Sequence, residues 1–358
     1  MKPIIAGIQQ IGIGVKDVRE ASKWYLEHFG MDIKVLEDSA TADKMTIYTG
    51  GEAHQRTARI MLNMRGGGGF EIWQFRSREP QSPDFEIKIG DFGINAAKVK
   101  SADVEKSYSF LKAKGANIIS ELKQNPAGDL HFFVADPYGN VFNVVKGLGF
   151  YSNKPSILTG GIAGALIGVS DIDRSKKLYS DILGYDSVVY DTTGEFEDLQ
   201  GLNGVEGHTF RRCLLRSSKT RVGGFAELLG PTEIELISVV GRTPNKIFEN
   251  RYWGDLGFIH ICWDVQGMDG LGNILKESGF PFTVDSEENK DKSFDMGEAA
   301  GRFTYIDDPD GTWVEFVETH KVPLLKAFGI YLNMKKRDPN KNLPRYLLNA
   351  MAFSRVKE

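Results

Sequence analysis

The chain has 358 residues, of which 41% are hydrophobic, so it is long enough for two domains that each bury a core. Its formal net charge of −4 gives no reason to expect nucleic acid or an anionic membrane as a partner, and no apolar run approaches the length of a membrane span. Because the chain has only two cysteines and no visible secretory signal, we expect a soluble, cytoplasmic protein without a disulfide framework.

A strand–helix unit near the start of the chain recurs after its midpoint. Residues 8–32 and 162–186 each read as an alternating strand that ends in Val-x-Asp, followed by an amphipathic helix closed by a glycine. Asp at a helix start accepts hydrogen bonds from the first backbone N–H groups, and Gly at its end adopts the left-handed conformation. The recurrence predicts a duplicated architecture.

A weaker copy of the unit follows inside each half. Residues 92–99 and 257–265 read as strands, and residues 102–114 and 268–278 read as the helices that follow them. Several short strands come after each of these helices. We therefore predict an α+β fold built from four βαβββ units, two in each half.

An Asp-Pro-x-Gly turn closes both halves, at residues 136–139 and 308–311. After the second turn, the alternation of side chains along the strand points Glu315 away from its apolar neighbours Val314 and Phe316. A carboxylate inside a sheet is costly unless it is hydrogen-bonded, paired or bound to a metal. Glu315 is therefore a candidate functional residue.

The repeats divide the chain into two domains, a connector and a helical tail. The predicted divisions are residues 1–146, a turn-rich connector of 147–161, residues 162–320 and a tail of 321–358. Within the tail, residues 324–334 have helical spacing and residues 346–353 predict a last short helix. We expect the tail to pack on the second half or on a partner subunit, which leaves a homodimer through the tail as an open alternative.

The four units, the Val-x-Asp strand ends and the Asp-Pro-Asp-Gly-x-Trp-x-Glu sequence together resemble the vicinal oxygen chelate superfamily. This superfamily includes glyoxalase I, extradiol dioxygenases and the fosfomycin and bleomycin resistance proteins. The resemblance covers residues 6–318. It implies two glyoxalase-like domains with curved mixed β-sheets, in which each unit supplies one ligand position on its first strand and one on its last strand.

Eight positions of this chain match those ligand positions. On first strands they are Gln10, Ile94, Gly164 and His260, and on last strands they are Glu71, Asn143, Glu235 and Glu315. If unit one pairs with unit four, the set is Gln10, Glu71, His260 and Glu315, which is similar to that of glyoxalase I. Units two and three then form no site. The rival is a site within the second half, made by Glu235, His260 and Glu315.

The cross-half set implies one divalent metal, and its mixed oxygen and nitrogen ligands suit zinc, nickel, cobalt or manganese. The implied function is a glyoxalase I-like lyase or isomerase that acts on a small carbonyl compound through a metal-stabilised enediolate. Glu315 is the first candidate for the general base. Glu71 would hold the metal or act as the base on the opposite face.

The substrate is less well defined than the site. The positions at which glutathione-dependent relatives carry binding residues hold Gly14, Phe75, Leu256 and Gly301 here, with Arg302 as a substitute for the last. We therefore do not expect a glutathione conjugate. Two alternatives are a metal-free protein that binds a small molecule, as resistance proteins do, and a ring-cleaving non-haem iron dioxygenase. The dioxygenase needs two histidines and a carboxylate, and Gly164 argues against it.

Overall fold

The structure is a computed structural model that describes residues 2–153, 158–287, 294–295, 300–325 and 330–356. Its strands and helices follow the four predicted units. Unit one contains β1 (Ile4–Gly14), α1 (Val18–Phe29), β2 (Ile33–Thr41), a 3₁₀ helix (Asp43–Tyr48), β3 (Gln55–Leu62) and β4 (Gly69–Phe75). Unit two contains β5 (Gly93–Ser101), α2 (Val104–Ala113), β6 (Asn117–Ile118), β7 (Lys123–Gln124), β8 (Leu130–Ala135) and β9 (Val141–Lys146).

The second half repeats this order. Unit three contains β10 (Thr159–Gly168), α3 (Ile172–Lys176) with a π-helical continuation (Lys177–Ile182), β11 (Ser187–Gly194), β12 (Thr209–Arg216), α4 (Ala226–Leu229) and β13 (Glu233–Val240). Unit four contains β14 (Gly257–Gln266), α5 (Met268–Glu277), β15 (Val284–Asp285), β16 (Phe294–Asp295), β17 (Ala300–Asp307) and β18 (Trp313–Leu325).

The predicted helix ends are present. In α1, the Asp17 carboxylate accepts hydrogen bonds from the backbone N–H groups of Arg19 and Glu20, and Gly30 ends the helix with φ 65°. Asp171 caps α3 in the same way. These caps fix where each first strand ends and each helix begins, and so they fix the register of the repeat.

The strands form two mixed sheets, and each sheet draws one unit from each half of the chain. The first, which we call the 1–4 sheet, has the order β15-β17-β18-β14-β1-β4-β3-β2. The second, the 2–3 sheet, has the order β11-β12-β13-β10-β5-β9-β8-β6. The predicted α+β class with two curved mixed sheets is confirmed. None of the helices in the described residues has the length and apolarity that crossing a membrane requires.

The main core lies against one face of each sheet. Ile11 and Ile13 of β1 belong to this core, together with apolar residues from the first helix of every unit. Phe70 of the 1–4 sheet and Phe142 of the 2–3 sheet meet there with ring centroids 5.6 Å apart. Since side chains alternate along a strand, Gln10 of β1 projects from the opposite face.

The tail differs from the prediction. Residues 326–329 of the helix predicted for residues 324–334 lie outside the described residues. On either side of them the prediction is wrong, because β18 runs to Leu325 and a further strand, β19 (Ile330–Asn333), pairs back on it in antiparallel register. The short helix near the end is present as α6 (Arg345–Ala350). Tail residues pack on both halves, in a cluster that contains Ile33, Leu62, Met64, Tyr151, Leu228, Met334, Leu343 and Leu348.

Candidate metal centre

The four residues of the cross-half set lie on four adjacent strands in the middle of the 1–4 sheet. Glu71 is on β4, Gln10 on β1, His260 on β14 and Glu315 on β18. In the strand register, Gly12 of β1 is paired with both Glu71 and His260. Gln10 is paired with Cys262, which is paired in turn with Glu315. The pairing of unit one with unit four therefore brings together residues from opposite ends of the chain.

The ligand atoms of these residues converge. Nε2 of His260 lies 3.2 Å from Oε2 of Glu71 and 3.0 Å from Oε2 of Glu315. Nε2 of Gln10 lies 3.0 Å from the same Glu71 oxygen and 3.4 Å from the same Glu315 oxygen. Two ligands at about 2.1 Å from one ion, at a right angle, are about 3 Å apart. The spacing is that of neighbouring ligands around one cation.

Two buried polar atoms in this group find no hydrogen-bond partner among the described residues: Nε2 of His260 and Oε1 of Gln10. The two carboxylate oxygens are close to the imidazole nitrogen, but neither lies in line for a hydrogen bond. Rotation of the Gln10 amide by half a turn exchanges its oxygen and nitrogen, so the oxygen can also face the other ligands. A divalent cation would satisfy both atoms, and this donor set fits one.

The electrostatics of the group also favour a cation. Burial by itself lowers the pKa of His260, but the facing carboxylates of Glu315 and Glu71 outweigh it and raise that pKa to about 9. Two carboxylates this close to each other need a compensating positive charge. Without a metal, a proton on His260 supplies part of that charge, and a divalent ion would supply all of it.

Aromatic side chains enclose the group on one side. The Trp253 ring lies parallel to the His260 ring, with centroids 5.9 Å apart, and Tyr305 meets the imidazole edge-on at 5.5 Å. Trp73 packs against Trp253 with centroids 4.1 Å apart. The sequence did not point to Trp253, because it lies in a turn-rich loop without periodicity.

The 3₁₀ helix between β2 and β3 covers this aromatic cluster. Met45 is buried within it, and the Tyr48 hydroxyl donates a hydrogen bond of 2.7 Å to Oδ1 of Asp307 at the end of β17. Backbone N–H of Trp253 donates to the Tyr48 carbonyl oxygen at 3.0 Å. These contacts join the first and fourth units across the site, and no sequence motif predicted them.

Gly12 has a specific role in the geometry. A Cβ atom at this position would lie 2.4 Å from Cε1 and 2.9 Å from Nε2 of His260. Such distances are far inside van der Waals contact, so the missing side chain leaves the space that the imidazole occupies.

The 2–3 sheet shows that one of the other four predicted positions was assigned to the wrong residue. Leu166 of β10 is paired with Glu235 and with Ala96, as Gly12 is paired with Glu71 and His260. The residue that corresponds to His260 is therefore Ala96, and the assignment of Ile94 is wrong by two residues. The reason is that the strand before α2 ends in Ser101-Ala102-Asp103 and not in Val-x-Asp. Gln10 lies seven residues before the cap residue Asp17, and the residue seven positions before the cap residue Asp103 is Ala96. Ala96, like Ile94, offers no ligand.

A lysine supplies the positive charge in the 2–3 sheet. Nζ of Lys98, which is fully buried, lies 2.7 Å from Glu233 and 2.8 Å from Glu235. Glu235 also pairs with Arg212 at 2.7 Å. Burial alone would lower the pKa of Lys98, but the two carboxylates reverse this and raise it. Because Glu235 lies in the other sheet from His260, the rival site of Glu235, His260 and Glu315 is excluded by the fold.

Two of the positions that bind glutathione in relatives offer no replacement here. A side chain at position 14 would meet the Asp255 carbonyl oxygen at 1.9 Å. Arg302 projects from the helix side of β17, where it pairs with Asp269 and Asp285, both at 2.6 Å. It therefore lies on the face opposite to the candidate site.

Separate exchanges of Glu71 and of Glu235 for alanine test which of the two sheets binds the metal. Glu71→Ala is expected to weaken cobalt binding by roughly 100-fold or more, because it removes one of two carboxylate ligands. Glu235→Ala is expected to leave cobalt affinity within about twofold but to lower stability, since it removes one of the two buried carboxylate partners of Lys98 and one of the two of Arg212. Calorimetric titration with cobalt and urea unfolding measure the two effects. The reverse pattern would place the metal in the 2–3 sheet.

Gly12→Ala tests the clearance for the imidazole. The added methyl group displaces His260, and we expect the affinity for cobalt to fall by about 10- to 100-fold. Gly194→Ala is the matched control, because a Cβ there meets no atom within 4 Å. Equal cobalt affinity of the two variants would contradict the geometry described for Gly12.

Lys98→Met tests the role of the buried ammonium group. Its loss leaves two buried carboxylates close together, so we expect the free energy of unfolding to fall by about 3 kcal/mol in urea. The control is Lys106→Met, because Lys106 pairs with Asp103 on the surface and its removal should leave the urea midpoint unchanged. A midpoint for Lys98→Met equal to that of the wild type would mean that the ammonium group is not needed there.

Comparison with known proteins agrees with this architecture. The sequence model of the glyoxalase/bleomycin resistance protein/dioxygenase superfamily matches residues 7–144 and again residues 161–316. No curated protein matches the chain in sequence.

Two solved structures share the fold at low sequence identity. A putative dioxygenase from Bacillus subtilis has a TM-score of 0.56 and 15% identity, over 100% of this chain and 98% of its own. Glyoxalase I from Zea mays has a TM-score of 0.51 and 18% identity, over 88% of this chain and 92% of its own. Because the family model covers most of both halves, the chain belongs to the glyoxalase/bleomycin resistance protein/dioxygenase superfamily, and it carries two tandem copies of the domain.

Proposed function

We propose that the protein is a divalent-metal-dependent, glyoxalase I-like lyase or isomerase that acts on a small carbonyl compound. The observation that carries this proposal is the convergence of Gln10, Glu71, His260 and Glu315. The Nε2 atoms of Gln10 and His260 each lie 3.0 to 3.4 Å from the Oε2 atoms of both glutamates. Zinc, nickel, cobalt and manganese all accept such a set of two carboxylates, an imidazole and an amide.

When bound, the metal would supply Lewis acidity to two neighbouring oxygens of the substrate. Gln10 and His260 would hold it as neutral ligands, and the two glutamates would balance its charge. Trp253 and Tyr305 fix the orientation of the imidazole by packing on its face and edge. They also keep water away from this side of the site, which strengthens the electrostatic interactions there.

The proton transfer falls to the two glutamates. Glu315 takes the proton from the hydroxyl-bearing carbon next to the carbonyl group, and a proton returns to the former carbonyl carbon from Glu315 or from Glu71. The hydroxyl proton passes to the former carbonyl oxygen, so the protons balance. The net reaction is an isomerisation without an external oxidant or reductant. The Glu315 and Glu71 side chains are 8% and 14% exposed, so both are shielded from bulk water yet reachable from one side.

The ligand set argues against ring-cleaving dioxygenase chemistry. Non-haem iron enzymes of that kind use two histidines and one carboxylate. Here the first-strand position that faces His260 across the site holds Gln10, and two carboxylates complete the set. The similarity to a putative dioxygenase therefore supports the fold and not that reaction.

Solvent exchange tests the proposal without knowledge of the natural substrate. The protein is stripped with a chelator, reloaded with each of the four metals, and incubated in D₂O with a panel of α-hydroxyketones and α-ketoaldehyde hemithioacetals. Nuclear magnetic resonance then follows replacement of the carbon-bound proton by deuterium. We expect exchange that depends on metal and that falls by about 10²- to 10⁴-fold in Glu315→Gln.

Glu235→Gln is the control, because this residue lies in the 2–3 sheet. Exchange that persists in metal-free protein, or that is unchanged in Glu315→Gln, would contradict the proposed chemistry. Tight binding of panel compounds without metal and without exchange would instead identify a small-molecule binding protein.

A further inference from the structure

The open side of the candidate site has an apolar edge. In the register of the 1–4 sheet, Ile60 of β3 is paired with Glu71, and Leu36 of β2 is paired with Ile60. Directly paired residues of antiparallel strands project from the same face, so these two side chains lie beside Glu71 on the site face. On the other flank, Phe303 of β17 packs edge-on against Tyr305, with ring centroids 6.2 Å apart.

Within the part of the chain that the structure describes, burial shows which side of the site is the more open. Met45, Trp73, Trp253 and Tyr305 are each 3% exposed or less, and they close one side. Leu36, Ile60, Glu71 and Phe303 are all half-buried. The half-buried apolar side chains of Leu36, Ile60 and Phe303, which we call the rim, therefore leave surface that a substrate approaching Glu71 can contact.

Charge at the site is balanced without a substrate anion. The two glutamates neutralise a divalent ion, and the other two ligands carry no charge. Arg56, which shares the site face of β3, is bound to the Asp38 carboxylate at 2.7 Å and lies over the Trp73 ring. Arg302 of β17 projects from the opposite face. An anionic substituent at the rim would lose hydration without gaining a partner from either arginine.

We infer that the substrate carries an uncharged, apolar substituent, aryl or alkyl, beside the two oxygens that face the metal. This inference rests on the proposed function and narrows it from any small carbonyl compound to one without a charged arm. Leu36, Ile60 and Phe303 contact the substituent, and their apolar surfaces select against a carboxylate at that place.

Two matched chelators test the inference on the cobalt-loaded, full-length protein. Benzohydroxamic acid presents two neighbouring oxygens and a neutral ring, and 4-carboxybenzohydroxamic acid differs from it only by a carboxylate. Changes in the cobalt absorption spectrum give both dissociation constants without any turnover. We expect the neutral compound to bind at least about tenfold more tightly.

Variants of a rim residue provide the second part of the test. Ile60→Lys places a cation beside the substituent, so it should reduce or reverse the preference, whereas Ile60→Met should retain it. Equal or tighter binding of the carboxylated compound by the wild type would overturn the inference, as would an unchanged preference in Ile60→Lys. Failure to load cobalt, or no spectral change with either compound, would overturn the proposed function and the inference with it.

Discussion

The antiparallel pairing of β1 with β14 is the constraint on which the candidate site depends. It joins the first strand of the chain to a strand almost 250 residues later, and its register sets Gly12 opposite His260. The parallel neighbours β4 and β18 then bring one glutamate to each flank. If each half of the chain closed its own sheet, Gln10 and Glu71 would lie in one sheet and His260 and Glu315 in the other.

The two sheets meet the same electrostatic problem with different cations. In each, carboxylates project from the middle strands into a buried space, where unpaired negative charge is costly. In the 2–3 sheet, the Lys98 ammonium group and the Arg212 guanidinium group neutralise the carboxylate charge. The 1–4 sheet has no basic side chain in the corresponding place among the residues described, since Cys262 stands where Lys98 stands in the other sheet. This contrast explains why we propose one metal for the chain.

The unit boundaries and the individual ligand positions follow from the sequence, because both rest on short-range signals. The pairing of unit one with unit four was expected from the family resemblance instead. The caps at Asp17 and Asp171 and the turn at residues 308–311 mark unit boundaries, and positions counted from them identify Gln10 and Glu315. The assignment of Ile94 in unit two failed because this unit lacks the Val-x-Asp strand end, so that the cap residue Asp103 alone marks where the strand ends.

What the sequence did not reveal depends on long-range packing. Trp253 and Tyr48 lie in segments without periodicity, and their place beside the site follows from contacts between the first and fourth units. The tail segment at residues 330–333 has helical spacing but forms β19, because pairing with β18 satisfies its backbone groups. Apolar spacing in so short a segment does not distinguish a helix from an edge strand.

The measurement that tests the account most directly is anomalous X-ray scattering from crystals of the cobalt-loaded protein. The account predicts one anomalous peak per chain, at about 2.1 Å from the ligand atoms of Gln10, Glu71, His260 and Glu315. A peak beside Glu235, two peaks per chain, or no peak in crystals grown with excess cobalt would contradict it.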